Sequence, residues 1–343
     1  MKAAILTNIK KPLIVSELEM PKTLEFGQVL VKIYYSGFCG SQLTEINGSR
    51  GEDKNIPHLL GHEGSGLVLD IGPGVTTVSK GDHVVLHYMR SLGIESRTPK
   101  YKWGDKIVSA GGVTTFNDRA IISENRLTKI PKDFDLRIAP LFGCAVTTGF
   151  GVINNDAQIK IGESLIIFGL GGVGLSICQA ASLVSAYPII GVDLYESKIN
   201  LAKKFGLTHG FVNDFGKIDN EIRKIVGTDG ADVVVDVTGY SKAIEQCYKL
   251  TKPNGKTILC GQPKKGDNVS IHTLPLHFKK ILKGTHGGDS KPHIDIPRYI
   301  KLLSTRKIDL NSLITHEYSL ENINDAISTL RGGQAGRIII KMN

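Results

Sequence analysis

The sequence contains no apolar run near the roughly 18 residues that a membrane-spanning helix requires. It also lacks a segment built from a basic head, an apolar middle and a small-residue cleavage site. Neither a membrane association nor a secretory leader is therefore expected. Cysteine is sparse and scattered: Cys39, Cys144, Cys178, Cys247 and Cys260 are odd in number and far apart. This pattern excludes a disulfide framework and leaves reduced thiols or metal thiolates in a cytoplasmic protein. Aromatic residues make up only 6%, with a single tryptophan, and the excess of Lys and Arg is spread along the chain without a basic arm. Without a basic stripe interleaved with aromatic rings, the net charge of +9 does not point to nucleic acid. It favours anionic cofactors instead and leaves room for an anionic substrate.

At 343 residues the chain exceeds what one core usually supports, so two domains are expected. Residues 1–145 carry short β-like runs such as QVLVKIYY, SGLVLDIG and DHVVLHY, separated by Gly, Pro, Asn and Asp. They suggest an antiparallel, partly closed β domain. The opening stretch MKAAILTNIKKPLIVSELEMP alternates apolar and polar residues and reads as one strand. Over residues 146–286 the rhythm changes: SLIIF, PIIGVD, ADVVVDV and KTILC are continuous apolar runs alternating with the helical SKINLAKKF, NEIRKIV and KAIEQCYKL. That alternation predicts an α/β, doubly wound parallel sheet, with GTDGADVV and KPNGKT as turns inside it. The tail, 287–343, contains IDIPRYIKLLSTRK and LENINDAISTLRGG as helices and GRIIIKM as a strand, and is expected to return to the first domain.

The strand SLIIF leads into Gly169, Leu170, Gly171, Gly172, Val173 and Gly174, a G-x-G-x-x-G at a strand-to-helix turn. In such a turn the first glycine permits the tight bend, the second lets backbone N–H groups approach a pyrophosphate, and the third lets helix pack on strand. The helix N-terminus then faces the phosphates. Asp193 ends the next strand, 19 residues beyond Gly174. An acid at that place accepts from both ribose hydroxyls and repels a 2′-phosphate, which favours NAD over NADP. Lys198 could flank the same ribose. The competing reading of Asp193 is a helix cap.

Cys39 in GFCGSQ, His62 in LLGHEGSG and Cys144 in LFGCAVTTGFG are each unremarkable alone. Two thiolates and an imidazole nevertheless suit Zn²⁺, and three protein ligands leave the open position that a catalytic site needs. Their spacing is too long for a zinc finger, so only the fold could gather them.

These segments carry a family resemblance. Gly61 to Gly66 as G-H-E-x-x-G, Cys39-Gly40-Ser41, GCAVTTGFG at 143–151 and IIFGLGGVGLS at 166–176 resemble the medium-chain zinc alcohol dehydrogenases, including the glutathione-dependent formaldehyde dehydrogenase type. The resemblance spans nearly the whole chain. It implies a GroES-like β domain beside a Rossmann domain, a homodimer or homotetramer, and hydride transfer between an alcohol and NAD. It also implies that Cys39, His62 and Cys144 hold one catalytic zinc, with Ser41 taking the substrate proton. Glu63 would support the zinc from beneath or ligate it occasionally, the alternative being a structural salt bridge. Arg337, in the closing segment, would contact the cofactor pyrophosphate.

Two departures stand out. Relatives that bind a second, structural zinc do so through four close cysteines, but HYMRSLGIESRTPKYKWGDKIVSAGG has none, so one zinc per chain is expected. In CGSQLTE the usual Asp is replaced by Gln42 and the usual relay histidine by Thr44, which leaves Thr44 or solvent to carry the proton outward. Tyr88, Trp103 and Phe116 are candidates for the substrate pocket or simply for packing. Arg50, Arg90, Arg97, Lys100 and Lys102 could meet an anionic substrate or merely be solvated. A primary alcohol, a polyol and a sugar derivative all stay open. So do a zinc-free quinone reductase of the same superfamily and a non-catalytic dinucleotide sensor.

Overall fold

Strand formation begins at the first residues, where alternation places Ala4 and Leu6 in a core. The opening stretch is two strands rather than the one expected. Lys2–Leu6 and Ile14–Glu17 pair antiparallel, with Lys2 opposite Glu17. The polar stretch between them reverses the chain, with Lys10 at a φ of 62°. Alternation alone carries no mark of that reversal, because Asn8, Lys11 and Pro12 interrupt the pattern without changing its period.

The computed structural model describes residues 1–213, 217–305 and 308–342. Among these residues the strands form sheets of five, seven and six members, and the chain divides into two compact units. One unit comprises Met1–Thr147, Lys291–Arg306 and Leu310–Asn343; the other comprises Thr148–Ser290 and Lys307–Asp309. No helix among the described residues is long and apolar enough to cross a membrane.

In the first unit the strand Gln28–Phe38 organises the larger sheet. It pairs antiparallel with Gly64–Ile71, with Arg119–Ser123 over its first half, and with Arg337–Lys341 over its second. Val29, Val31 and Ile33 alternate into the core, joined there by Ile338 and Ile340 from the far end of the sequence. Register places Ile338 opposite Phe38, so the adjoining Arg337 falls opposite Cys39.

In the second unit all six strands are parallel, in the spatial order His209–Val212, Ile189–Asp193, Leu165–Phe168, Ala231–Asp236, Thr251–Leu259, Ile281–Gly284. By chain order this reads 3-2-1-4-5-6, the doubly wound arrangement whose strand order reverses beside strand one and leaves a ligand crevice at the carboxyl ends there. Both faces are covered, which explains why Leu165–Phe168 is apolar at every position. The covering helix Ile218–Val226 buries Ile218 and Ile222, with acids in its first turn and bases in its last, as its dipole favours. KPNGKT lies inside the strand Thr251–Leu259 rather than between elements. It still acts as a turn: pairing jumps from Thr251–Ala231 to Lys256–Val233, and Asn254 has a φ of 65°.

Candidate active site

Cys39 follows the central strand and caps the short helix Gly40–Ile46. His62 and Glu63 lie just before the strand Gly64–Ile71, and Cys144 follows the 3₁₀ turn Ala139–Gly143. Together Cys39, His62, Glu63 and Cys144 offer ligand atoms within 4.8 Å of one another. The Sγ atoms of Cys39 and Cys144 are 3.8 Å apart. Two zinc–sulfur bonds of about 2.3 Å at a tetrahedral angle require a separation of about 3.8 Å. His62 Nε2 is buried without a hydrogen-bond partner. The donor set, its spacing and an imidazole nitrogen left free all fit one zinc ion.

The remaining contacts hold these groups in place. Gln42 spans two ligands: its Oε1 accepts from the Cys39 backbone N–H at 3.1 Å, and its Nε2 meets His62 Nδ1 at 2.5 Å. The His62 ring packs edge-on to Tyr88, with centroids 5.3 Å apart. Glu63 is fully buried and forms an ion pair with Arg337, which is 4% exposed. Of the two expectations for Glu63, the salt bridge is present; a Glu63 carboxylate oxygen is also among the clustered ligand atoms, and Oε2 has no hydrogen-bond partner. The resemblance implies a cofactor contact for Arg337; its contact with Glu63 leaves no mark in the sequence, because 274 residues separate the pair.

The charges explain the titration of the centre. The hydrogen bond from Cys144 holds the Cys39 thiol well below its usual range, against the opposing effect of burial, with His62 and Arg337 adding to the depression. Cys144, donating that bond and buried, is pushed up. Burial disfavours a charged His62, but the neighbouring Cys39 thiolate and Glu63 outweigh it and raise its pKa. Burial also raises Glu63, partly offset by Arg337. A divalent cation binds the deprotonated ligands, so its binding would displace the protons that Cys144 and His62 retain.

Ser41 Oγ is buried without a partner, whereas the Thr44 hydroxyl donates back to the Gly40 carbonyl at 3.5 Å. Of the three pocket candidates, only Tyr88 lies against a ligand. Phe116 is core, and Trp103 packs on the small-sheet core with Nε1 donating to Ser16 at 3.0 Å. Arg50 pairs with Glu45 and Arg90 with Glu95, while Arg97, Lys100 and Lys102 are exposed. The cysteine-free segment around residue 95 is tied down by polar contacts: Glu95 pairs with Arg126, and Glu124 accepts the N–H groups of Thr76, Thr77 and Ile94.

In the second unit the glycine turn has the geometry its sequence requires. Gly169 has a φ of 94°, and a Cβ on Gly174 would lie 2.0 Å from the Gly169 carbonyl oxygen. At Gly171 a Cβ would meet nothing within 4 Å, which leaves open space at the N-terminus of the helix Gly172–Leu183. Val173 lies in the first turn of this helix. Asp193 accepts the Leu170 N–H at 2.7 Å and the Tyr195 N–H at 3.1 Å, which ties it to the turn. Lys198 Nζ sits 5.7 Å above the Tyr195 ring. An open cradle of backbone N–H groups beside a carboxylate fits a dinucleotide.

Residues 25–132 match the family described as the alcohol dehydrogenase GroES-like domain, and residues 172–305 match zinc-binding dehydrogenase. The sequence is 31% identical to S-(hydroxymethyl)glutathione dehydrogenase of Paracoccus denitrificans, covering 99% of each chain. It is 32% identical to alcohol dehydrogenase 2 of Oryza sativa subsp. japonica, covering 100% of this chain and 97% of that one. Among solved structures, the benzyl alcohol dehydrogenase of Acinetobacter calcoaceticus superposes with a TM-score of 0.89 at 27% identity, covering 100% and 99% of the two chains. A zinc-binding alcohol dehydrogenase domain protein of Burkholderia ambifaria superposes at 0.90 with 26% identity, covering 100% and 98%.

Proposed function

Because this chain belongs to the zinc-binding alcohol dehydrogenase family, we propose that it oxidises a primary or secondary alcohol, or reduces the matching carbonyl, using NAD and one zinc held by Cys39, His62 and Cys144. The candidate alcohols include polyols, sugar derivatives and anionic hydroxy compounds. The observation that carries this reading is the 3.8 Å pair of sulfurs beside the unpartnered His62 Nε2. Zinc supplies Lewis acidity toward the substrate oxygen, and NAD supplies the hydride acceptor. Ser41, with its buried and unoccupied hydroxyl, takes the substrate proton, which Thr44 or solvent carries onward. Gly169, Gly171, Gly172, Val173 and Gly174 cradle the pyrophosphate. Asp193 binds the ribose hydroxyls with Lys198 alongside. Arg337, whose Nε–H has no partner in the protein, would contact the cofactor pyrophosphate, and Glu63 holds its guanidinium.

Five free thiols suit a reducing cytoplasm. Self-association as a homodimer or homotetramer is supported by the edge strand Ile281–Gly284, which carries exposed Ile281 and follows exposed Leu274 and Phe278. Light scattering that reports only single chains would reject it.

The deciding experiment measures zinc content together with reduction of NAD and of NADP across alcohols, polyols and phosphorylated or carboxylated hydroxy compounds. The Cys39→Ala variant is expected to lose zinc and at least about a thousandfold in rate, about 4 kcal/mol of barrier. Loss of zinc at an unchanged rate would overturn the zinc chemistry and favour the quinone-reductase reading. NADH binding without turnover of any compound would favour the sensor. A preference for NADP would refute the role of Asp193.

A further inference from the structure

The contacts of Gln42 conflict with ligation by its neighbour. A neutral imidazole that gives Nε2 to a metal carries its proton on Nδ1, so that Nδ1–H becomes a donor and needs an acceptor. The Cys39 backbone N–H is a second donor, only one ligand away. Both donors point at the same side chain: Gln42 Oε1 receives the Cys39 N–H at 3.1 Å, and Gln42 Nε2, itself a donor, stands 2.5 Å from His62 Nδ1. With a metal on Nε2, donor then faces donor at His62. Turning the amide over only moves the fault, because the NH₂ group then faces the Cys39 N–H. An amide has one acceptor oxygen and two donors are to be served. Gln42 is buried, at 1% exposure, so its amide cannot turn to solvent for other partners.

Resting on the zinc reading above, we propose that Gln42 is a positioning residue that keeps the zinc centre loosely held, so that the ion binds more weakly and exchanges faster than it would with a carboxylate at this place. A carboxylate has two acceptor oxygens and serves both donors at once, and it adds a negative charge beside the ligand set. Partners of metal-bound histidines commonly change metal affinity by about 10- to 100-fold. A centre loosened by that factor loads and unloads with the availability of zinc.

The test is chelator competition on the full-length protein, giving the zinc dissociation constant and release rate for wild type, Gln42→Glu and Gln42→Asp. At least one carboxylate variant is expected to bind zinc about 10- to 100-fold more tightly and to release it more slowly. Equal or weaker binding by folded variants overturns the inference while leaving the zinc reading intact. A wild type that holds no zinc overturns the reading and the inference with it. Should neither variant fold, ¹⁵N spectroscopy of the His62 ring in wild type decides. At alkaline pH the metal-free ring is expected to carry its proton on Nε2, and zinc loading should move it to Nδ1. A metal-free ring already protonated on Nδ1 would overturn the inference.

Discussion

His87 is a buried histidine whose burial favours the neutral ring. Its Nδ1–H donates to the Met89 carbonyl at 2.8 Å and its Nε2 accepts from Thr128 at 3.0 Å. Burial pushes its pKa down to about 4 from an ordinary 6.5. Between these values the unfolded chain binds a proton that the folded chain refuses, so stability is lost as pH falls from about 6.5 to 4. The loss is on the order of 3 kcal/mol. Urea midpoints across that window should fall more steeply for wild type than for His87→Asn, which starts less stable at neutral pH. Parallel slopes would contradict the assignment. The buried Glu63–Arg337 pair makes a different demand at the same scale. Arg337→Met strands a carboxylate with no other countercharge in its ion pair, and is expected to cost about 3–5 kcal/mol in urea unfolding. A loss below 1 kcal/mol would mean that Glu63 takes up a proton at no great cost.

Among the elements, the turn from Leu165–Phe168 into Gly172–Leu183 is the most constrained. Gly174→Ala would drive a methyl group into the Gly169 carbonyl and separate helix from strand. NADH affinity, read by fluorescence titration, should fall at least about tenfold, about 1.4 kcal/mol. Undiminished affinity would rule out the turn as the phosphate cradle. This element was legible in the sequence because it is local: a buried strand is an apolar run, and its turn is spelled in glycines. The N-terminal pair of strands was not, since two strands and one share the same alternation. The metal ligands were legible only as a set, when their flanking motifs were read together. The contacts that tune them were hidden by distance along the chain, 20 residues between Gln42 and His62 and 274 between Glu63 and Arg337. Alternation cannot show which strand ends become neighbours.

For the whole molecule, two units with separate cores predict more than one unfolding transition. The proposed zinc ligands all lie in one unit and the glycine turn in the other. In scanning calorimetry, chelation should therefore lower the transition of the first unit, by up to about 4 kcal/mol for an ion present at a thousandfold its dissociation constant. Added NADH should raise the transition of the second. A single transition answering equally to both ligands would show that the units unfold as one.

The pairing of the last strand with Gln28–Phe38 also sets a timetable. On the ribosome Cys39, His62, Glu63 and Cys144 emerge before the continuous segment Thr148–Ser290, which carries its own parallel sheet. Arg337 comes 274 residues after Glu63, a delay of roughly 14–55 s at usual bacterial or eukaryotic elongation speeds. Throughout that interval the nascent chain carries an acid destined for burial but not yet neutralised, and the edge of its central strand stands open. The strand Arg337–Lys341 thus completes the sheet and the charge balance of the metal centre in the same step, which makes a chain interrupted before it a natural client for chaperones.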